Sequence, residues 1–421
     1  MRMRRAWIVG LSLVTLASGA AAENWPQFRG PNGQGVSAEE NVPISWSAAS
    51  NVLWKVAIAG EGWSSPIVWD GRAFITTSTD NGTTCRVLGL DFATGKVLWD
   101  KEVFKQVPGR KEARNSFATP TPATDGKRVY AVFSDGSIAA LDFNGEVLWT
   151  NREFKFYSQH GLATSPILWE DLLIMARDAS SPGEDKSLGW QTPWEQSFVL
   201  ALDKTTGKLR WKGMRGLSRI GHVVPCIWTS PDGKVQVISA AGDAVQGFDA
   251  PTGERIWTSF NKGEGVVPSA VVGEGLVFTA CGYSGRESIK AFRLNGQGDL
   301  KETNLAWEQR QGMPKVPSLL YVKPCLYSIT DNGTATCFKA DTGDVVWQDR
   351  LSGVFSASPV YAGGKIYFLS DGGETTVVEA GPQFKVVSRN PLGEKCQASM
   401  AVSGHRLVIR TERNLFCIGT R

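Results

Sequence analysis

Apolar and polar residues alternate along most of the chain in short runs, each ended by turn-forming residues. The stretch Ser65-Pro66-Ile67-Val68-Trp69-Asp70-Gly71-Arg72-Ala73-Phe74 shows the rhythm: an apolar run, Asp-Gly, then a second apolar run. A period of two bounded by Gly, Asn and Asp predicts strands joined in hairpins. Equivalent hairpins begin at Thr121-Pro122, Ser165-Pro166 and Ser358-Pro359. A second, more stereotyped hairpin follows each of them.

That second hairpin is a repeat. Leu90-Asp91-Phe92-Ala93-Thr94-Gly95-Lys96-Val97-Leu98-Trp99, Leu202–Trp211 and Phe248–Trp257 each place Gly four residues after Asp and Trp four residues after Gly. Leu141–Trp149 is one residue shorter, Phe338–Trp347 carries Lys339 at the Asp position, Phe292–Trp307 holds an insertion, and Glu379–Val387 lacks the Trp. Asp caps the turn and Gly takes the positive φ that a branched residue resists. Two hairpins make a four-stranded unit, and from Trp54 to Trp347 the tryptophans recur 40–62 residues apart. Such units predict an all-β, eight-bladed β-propeller of four-stranded blades. Seven units run from about Gly62 to Asn390. The last three strands, Cys396–Val402, His405–Thr411 and Asn414–Gly419, lack a fourth, which Asn51–Ile58 with Trp54 supplies. Pairing N- and C-terminal strands in one blade removes the exposed edges. Seven blades is the alternative count.

Composition narrows the class. The chain has 421 residues, 42% hydrophobic and 20% charged, with 16 Trp, 46 Gly and 3 His, which excludes a mostly disordered chain. Residues 1–22 read as a signal peptide: Arg2, Arg4 and Arg5, an apolar run too short for a bilayer, then small residues before a cut after Ala22. With no Cys near the cut, no lipobox is expected. The mature chain is expected to be periplasmic or secreted and not membrane-spanning. Losing the three leader arginines takes the formal charge from +4 to +1, which gives no footprint for nucleic acid. Residues 23–50 are expected to form an irregular arm over a single propeller domain of residues 51–421. Cys85, Cys226, Cys281, Cys325, Cys337, Cys396 and Cys417 read as buried thiols. A two-residue Asn332-Gly333 loop would put Ser328 opposite Cys337, against a Cys325–Cys337 bridge.

The Asp-x-x-x-Gly-x-x-x-Trp repeat resembles the tryptophan-docking motif of the pyrroloquinoline-quinone (PQQ) propeller repeats, over about Asn51 to Gly419. That family includes quinoprotein alcohol dehydrogenases and the non-enzymatic outer-membrane assembly propeller BamB. Asn24-Trp25-Pro26-Gln27-Phe28-Arg29-Gly30-Pro31 is similar to the opening of secreted bacterial PQQ-like propellers. The repeat reads as architecture: Trp54, Trp99, Trp149, Trp211, Trp257, Trp307 and Trp347 are expected to wedge between blades. Each buries about 150–250 Å², roughly 4–6 kcal/mol as an upper bound. For the dehydrogenases the resemblance implies more: adjacent cysteines in a disulfide on PQQ, a Trp on its other face, a Glu/Asn/Asp set holding calcium, and an Asp base. The chain has no Cys-Cys pair. The innermost strands are expected to begin near Trp63, Thr119, Ala163, His222, Val267, Val316, Ser356 and Gln397, a ring without a carboxylate. No catalytic, cofactor or metal residue is therefore expected, with PQQ plus calcium as the alternative.

The long insertions, Lys101–Phe117, Asn151–Leu162, Arg177–Gln196 and Lys212–His222, fall on one face. The candidate binding surface there comprises Trp63, Arg110, Arg114, Tyr157, His160, Trp190, Trp194, Arg219 and His222, with Lys105, Lys111 and Arg215 nearby. Aromatic and Arg side chains suit protein recognition. The alternative is that they pack across their own face. The functional expectation is a non-catalytic, monomeric protein-binding scaffold with an envelope or extracellular partner, in outer-membrane assembly by analogy with BamB. The alternatives are a PQQ-dependent dehydrogenase and a glycan-binding propeller.

Overall fold

A computed structural model describes residues 23–260, 266–281, 287–300 and 302–420; the leader reading lies outside the described residues. Eight sheets, each built on four antiparallel strands, form the ring. Blade one is Ile67–Trp69, Arg72–Thr79, Thr84–Asp91 and Val97–Lys105, in that order from the axis outward. Blades two to seven open at Ala123–Thr124, Ile167–Trp169, Cys226–Thr229, Val271–Gly273, Leu320–Val322 and Val360–Ala362. Blade eight is Ala401–Ser403, Arg406–Arg410, Asn414–Ile418 and, outermost, Val52–Ala57, which pairs antiparallel with Asn414–Ile418. The chain ends thus close the ring within one sheet.

The outer seam follows from the repeat. Asp91 Oδ1 accepts from the Thr94 amide at 2.8 Å and from its hydroxyl at 2.7 Å; Asp203 with Thr206 and Asp249 with Thr252 repeat the pattern. The Thr94 hydroxyl is the main influence holding the Asp91 carboxyl below its usual range. On the following strand the residue before each Trp is skipped in the register, as Leu98 is between Val97 and Trp99. Such a bulge re-aims the next side chain. Six indoles donate to a carbonyl in the next blade's turn: Trp54 to Phe92 (2.9 Å), Trp99 to Phe143 (2.8 Å), Trp149 to Lys204 (3.1 Å), Trp211 to Ala250 (3.1 Å), Trp307 to Ala340 (2.9 Å) and Trp347 to Gly381 (2.9 Å). The turn glycine lies against the ring. At Gly253 (φ +75°) an added Cβ would stand 2.4 Å from Trp211.

Trp257 departs from this scheme. Its indole packs with Phe292 and Leu294 of blade five but donates to Gln236 Oε1 of its own blade at 2.8 Å. Blade five lacks the short Asp–Gly turn, and its insertion instead lays Gly298–Asp299 parallel to Trp257–Thr258, making a fifth strand on blade four.

An inner seam, which the repeat did not announce, surrounds the axis. At six of the eight junctions the amide two residues ahead of the innermost strand donates to a hydroxyl of the next blade: Ser65 to Thr121, Thr121 to Ser165, Val224 to Ser269, Ser269 to Ser318, Ser318 to Ser358 and Ser358 to Ser399, all at 2.9–3.1 Å. Two junctions lack such a bond, and each is spanned by a fully buried arginine. Between blades three and four, where Val224 replaces the hydroxyl, Arg215 pairs with Asp178 through Nε–Oδ1 and, at 3.0 Å, Nη2–Oδ2, and also reaches Ser239 Oγ at 2.7 Å. Between blades eight and one, Arg410 donates to Ser64 Oγ and Thr76 O, both at 2.6 Å. Arg215 was expected near the binding surface; it is an interior strut instead.

The arm crosses the face bearing the Asp–Gly turns. Trp25 is fully buried and exchanges amide bonds with Val68 of blade one; Pro26 O accepts from Thr124 of blade two; Gln34 Oε1 accepts from Val272 of blade five. Arg29, wholly buried, donates to Leu319 O at 2.6 Å, and Glu39 accepts the amides of Gly404 and His405 in blade eight. The six described cysteines are free and buried. The Asn332-Gly333 turn is wider than a two-residue loop: Ile329 pairs with Ala335, so Tyr327, not Ser328, faces Cys337.

Two stability outcomes follow. Asp178→Ala strands a buried guanidinium and is expected to cost about 3–5 kcal/mol in chemical denaturation; a loss below about 1 kcal/mol contradicts the strut. Trp211→Phe keeps the ring but orphans Ala250 O, for an expected loss of about 1–3 kcal/mol in the same assay, and an unchanged midpoint contradicts the indole's role.

Candidate binding site at the pore mouth

All eight strand-start positions from Trp63 to Gln397 line one axial cavity of about 390 Å³. Its floor is Phe28 of the arm, and its walls include the seam residues Ser65, Thr121, Ser165, Ser269, Ser318, Ser358 and Ser399. The long loops build the rim. Asn115 Nδ2 donates to His160 O at 2.7 Å, the Glu112 amide donates to the same carbonyl at 3.1 Å, and Lys111 pairs with Glu61 at 3.0 Å. The Arg177–Gln196 segment is tied down by a Trp194–Ser218 bridge and by the Ile220 amide on Gly189 O. Trp190 therefore hangs over the cavity edge-on to His160, with centroids 5.7 Å apart, and His160 is edge-on to His222 at 5.9 Å.

Five of the nine candidate residues converge here: Trp63, Arg114, His160, Trp190 and His222. The other four lie elsewhere on the face. Trp194 donates to Ser197 Oγ at 3.2 Å, Arg219 pairs with Asp243 at 2.6 Å, Arg110 reaches Gln159 at 3.2 Å, and the Tyr157 ring receives the Lys186 ammonium at 5.1 Å. Glu112, Asn115, Phe28 and the hydroxyl ring were missed. For the hydroxyl ring the signal in the sequence was Ser or Thr beside Pro at six of the eight blade starts; Glu112, Asn115 and Phe28 lie outside the repeat and carried no such signal.

The cavity is electrically quiet. Arg114 lies 3.0 Å from Asp331 and 3.9 Å from Glu112, so its charge is fully countered and none is left over for an anion. Burial, helped by the neighbouring His160, pushes the His222 imidazole down to about 3, so it is neutral at pH 7 and far from the range of a general base. Lys395 sits over the Trp63 ring at 5.5 Å. Behind the wall, Asp371 accepts from Ser356 at 2.9 Å and from Gln397 at 3.5 Å, and burial raises its carboxyl.

The ring itself holds no carboxylate, but Glu112 lines the cavity from its loop. A calcium ion asks for six to eight converging oxygens. Among the described residues no three His, Cys, Asp or Glu side chains cluster, and the one lining cation is already paired with two carboxylates. This donor set does not fit a metal-bound anionic quinone.

Among solved structures, BamB from Moraxella catarrhalis superposes with a TM-score of 0.60 at 13% identity, over 88% of this chain and 99% of that one. A europium-containing methanol dehydrogenase gives 0.64 at 10% identity over 94% and 98%. The quinohemoprotein alcohol dehydrogenase of Comamonas testosteroni gives 0.61 at 11% over 94% and 80%. At these identities the likeness is one of fold alone. Among curated proteins, quinohemoprotein alcohol dehydrogenase ADH IIB of Pseudomonas putida is 27% identical over 152 residues, 35% of this chain but only 19% of that enzyme. The family model described as outer membrane protein assembly factor BamB matches residues 35–176 and 241–381, more than half of the chain. With its repeat and its eight closed blades, the chain belongs to this family of PQQ-like repeat β-propellers.

Proposed function

We propose that the chain is a non-catalytic recognition propeller of the periplasm or extracellular space, exported by its leader, which holds a protein partner on the face where the pore opens. The observation that carries this reading is the distribution of exposed apolar side chains. The three most exposed, Val107 (89%), Leu217 (64%) and Phe260 (63%), all stand on loops or strand ends of that face; of the two at 51%, Val354 stands there and Leu148 on an outermost strand. Aliphatic and aromatic groups held out in water by ordered loops suit a protein interface. The family's description supports a role in outer-membrane protein assembly by analogy, a fold-level argument. Among the described residues no helix is long and apolar enough to cross a membrane.

A dehydrogenase is the competing reading, favoured by the match to ADH IIB and opposed by the unsuited donor set. One experiment separates them. Photo-crosslinking residues at Val107, Leu217 and Val354, and at Lys208 on the opposite face, are compared in envelope extract. Alongside, the purified mature chain is titrated with PQQ and calcium. The expected result is one common adduct from the three loop positions, absent from Lys208 and abolished by Leu217→Glu combined with Val107→Glu, with no saturable quinone binding. Equal adducts from both faces overturn the docking face; one-to-one quinone binding at about micromolar strength overturns the non-catalytic reading.

A further inference from the structure

The seam around the axis leaves something over. Six of its hydroxyls accept an amide proton from the preceding blade, which consumes a lone pair and not the hydroxyl's own proton. Among the described residues no protein acceptor takes those six protons, and every one of the six hydroxyls lines the cavity while being at most 6% exposed. The pore mouth therefore presents O–H donors from most of its circumference. Acceptors stand among them: Gln397 Oε1 and His222 Nδ1 are both buried at the wall without a hydrogen-bond partner among the described residues. An unmet buried polar atom costs about 1–3 kcal/mol, so these groups favour a ligand that meets them. Above this belt lie the indoles of Trp63 and Trp190.

Charge and size restrict what fits. On the lining, Arg114 faces Glu112 at 3.9 Å and is held more closely by Asp331 at 3.0 Å. An anion gains no net countercharge at depth, and the belt hydroxyls, each with one proton and one lone pair left over, offer a cation no full charge. The volume of about 390 Å³ is that of a small-ligand pocket. A molecule that both donates and accepts around its whole perimeter, carries no charge and offers C–H faces to aromatic rings matches these conditions together. An amide or a single alcohol satisfies only a few of the groups.

We propose that the axial cavity is a binding site for a neutral saccharide, one sugar ring seated on the hydroxyl belt beneath Trp63 and Trp190. The site stands apart from the protein-docking reading: its groups lie inside the pore, and those of the docking reading lie on the outer loops.

The test is calorimetric titration of the full mature chain with neutral mono- and disaccharides (glucose, mannose, N-acetylglucosamine, maltose, cellobiose), with gluconate and glucosamine as charged counterparts. The expected result is saturable one-to-one binding of at least one neutral sugar, insensitive to salt, with its charged counterpart at least about tenfold weaker. Trp63→Ala and Gln397→Ala are each expected to weaken binding about tenfold or more at an unchanged melting temperature. Should Trp63→Ala unfold the mouth, Trp190→Phe, which keeps an aromatic face, is expected to retain binding within a few-fold. No binding of any neutral sugar at tens of millimolar, tighter binding of a charged counterpart, or binding indifferent to both Gln397→Ala and Trp63→Ala overturns the proposal.

Discussion

Every other feature of this molecule depends on the junction between neighbouring blades. A four-stranded sheet leaves both faces needing cover, and only a neighbour on each side supplies it. The junction is fastened twice. At the rim an indole donates across to a glycine turn; at the axis an amide donates across to a hydroxyl. The two fastenings sit at opposite ends of a blade's width, so together they fix both spacing and tilt. Where one is missing another contact stands in: Arg215 with Asp178 at the third junction, Arg410 at the closing one, and a fifth strand beside Trp257.

The chemistry at the pore mouth is a consequence of that fastening. Because the belt and its two arginine struts hold the innermost strands in register, residues from Trp63 to Gln397, more than three hundred positions apart in the chain, stand round one cavity of about 390 Å³. The same hydroxyls that join the blades line the cavity and keep their own protons free to donate. A rigid scaffold carrying mobile loops usually separates stability from recognition; here one set of small side chains contributes to both. The arm completes the arrangement from below, with Phe28 closing the floor and Arg29 buried behind it.

Much of the fold was legible in the sequence because the rim fastening is made of distinctive residues. Asp91, Gly95 and Trp99 recur as a set, and a bulge plus a turn of fixed length cannot be built from many other combinations. The closing strand was legible too, since Trp54 had no blade of its own. Trp257 shows the limit: its spacing from Asp249 is perfect, but its hydrogen bond depends on the turn of the next blade, which an insertion has rewritten. The axial fastening was harder to see because a serine or threonine before a strand is common and carries its meaning only when seven of the eight blade starts, facing one another, supply it. For the same reason Arg215 looked like a surface cation. Nothing local in Met214-Arg215-Gly216 points to Asp178, and only the ring geometry brings them together. The candidate site was half legible: strand starts follow from the blade count, whereas the conformations of loops such as Arg177–Gln196 depend on contacts among insertions that share no repeat.

The central claim is that the belt hydroxyls serve both as the inner seam and as the wall of a neutral ligand site. A crystal structure of the full chain grown with N-acetylglucosamine or maltose tests this most directly. The account predicts sugar density on the axis, with ring hydroxyls in hydrogen-bond contact with Ser318, Ser358 or Ser399 and with Gln397, while the amide-to-hydroxyl bonds between blades stay in place. An axis holding only water at saturating sugar, or belt hydroxyls turned away from the pore to acceptors within the blades, would contradict it.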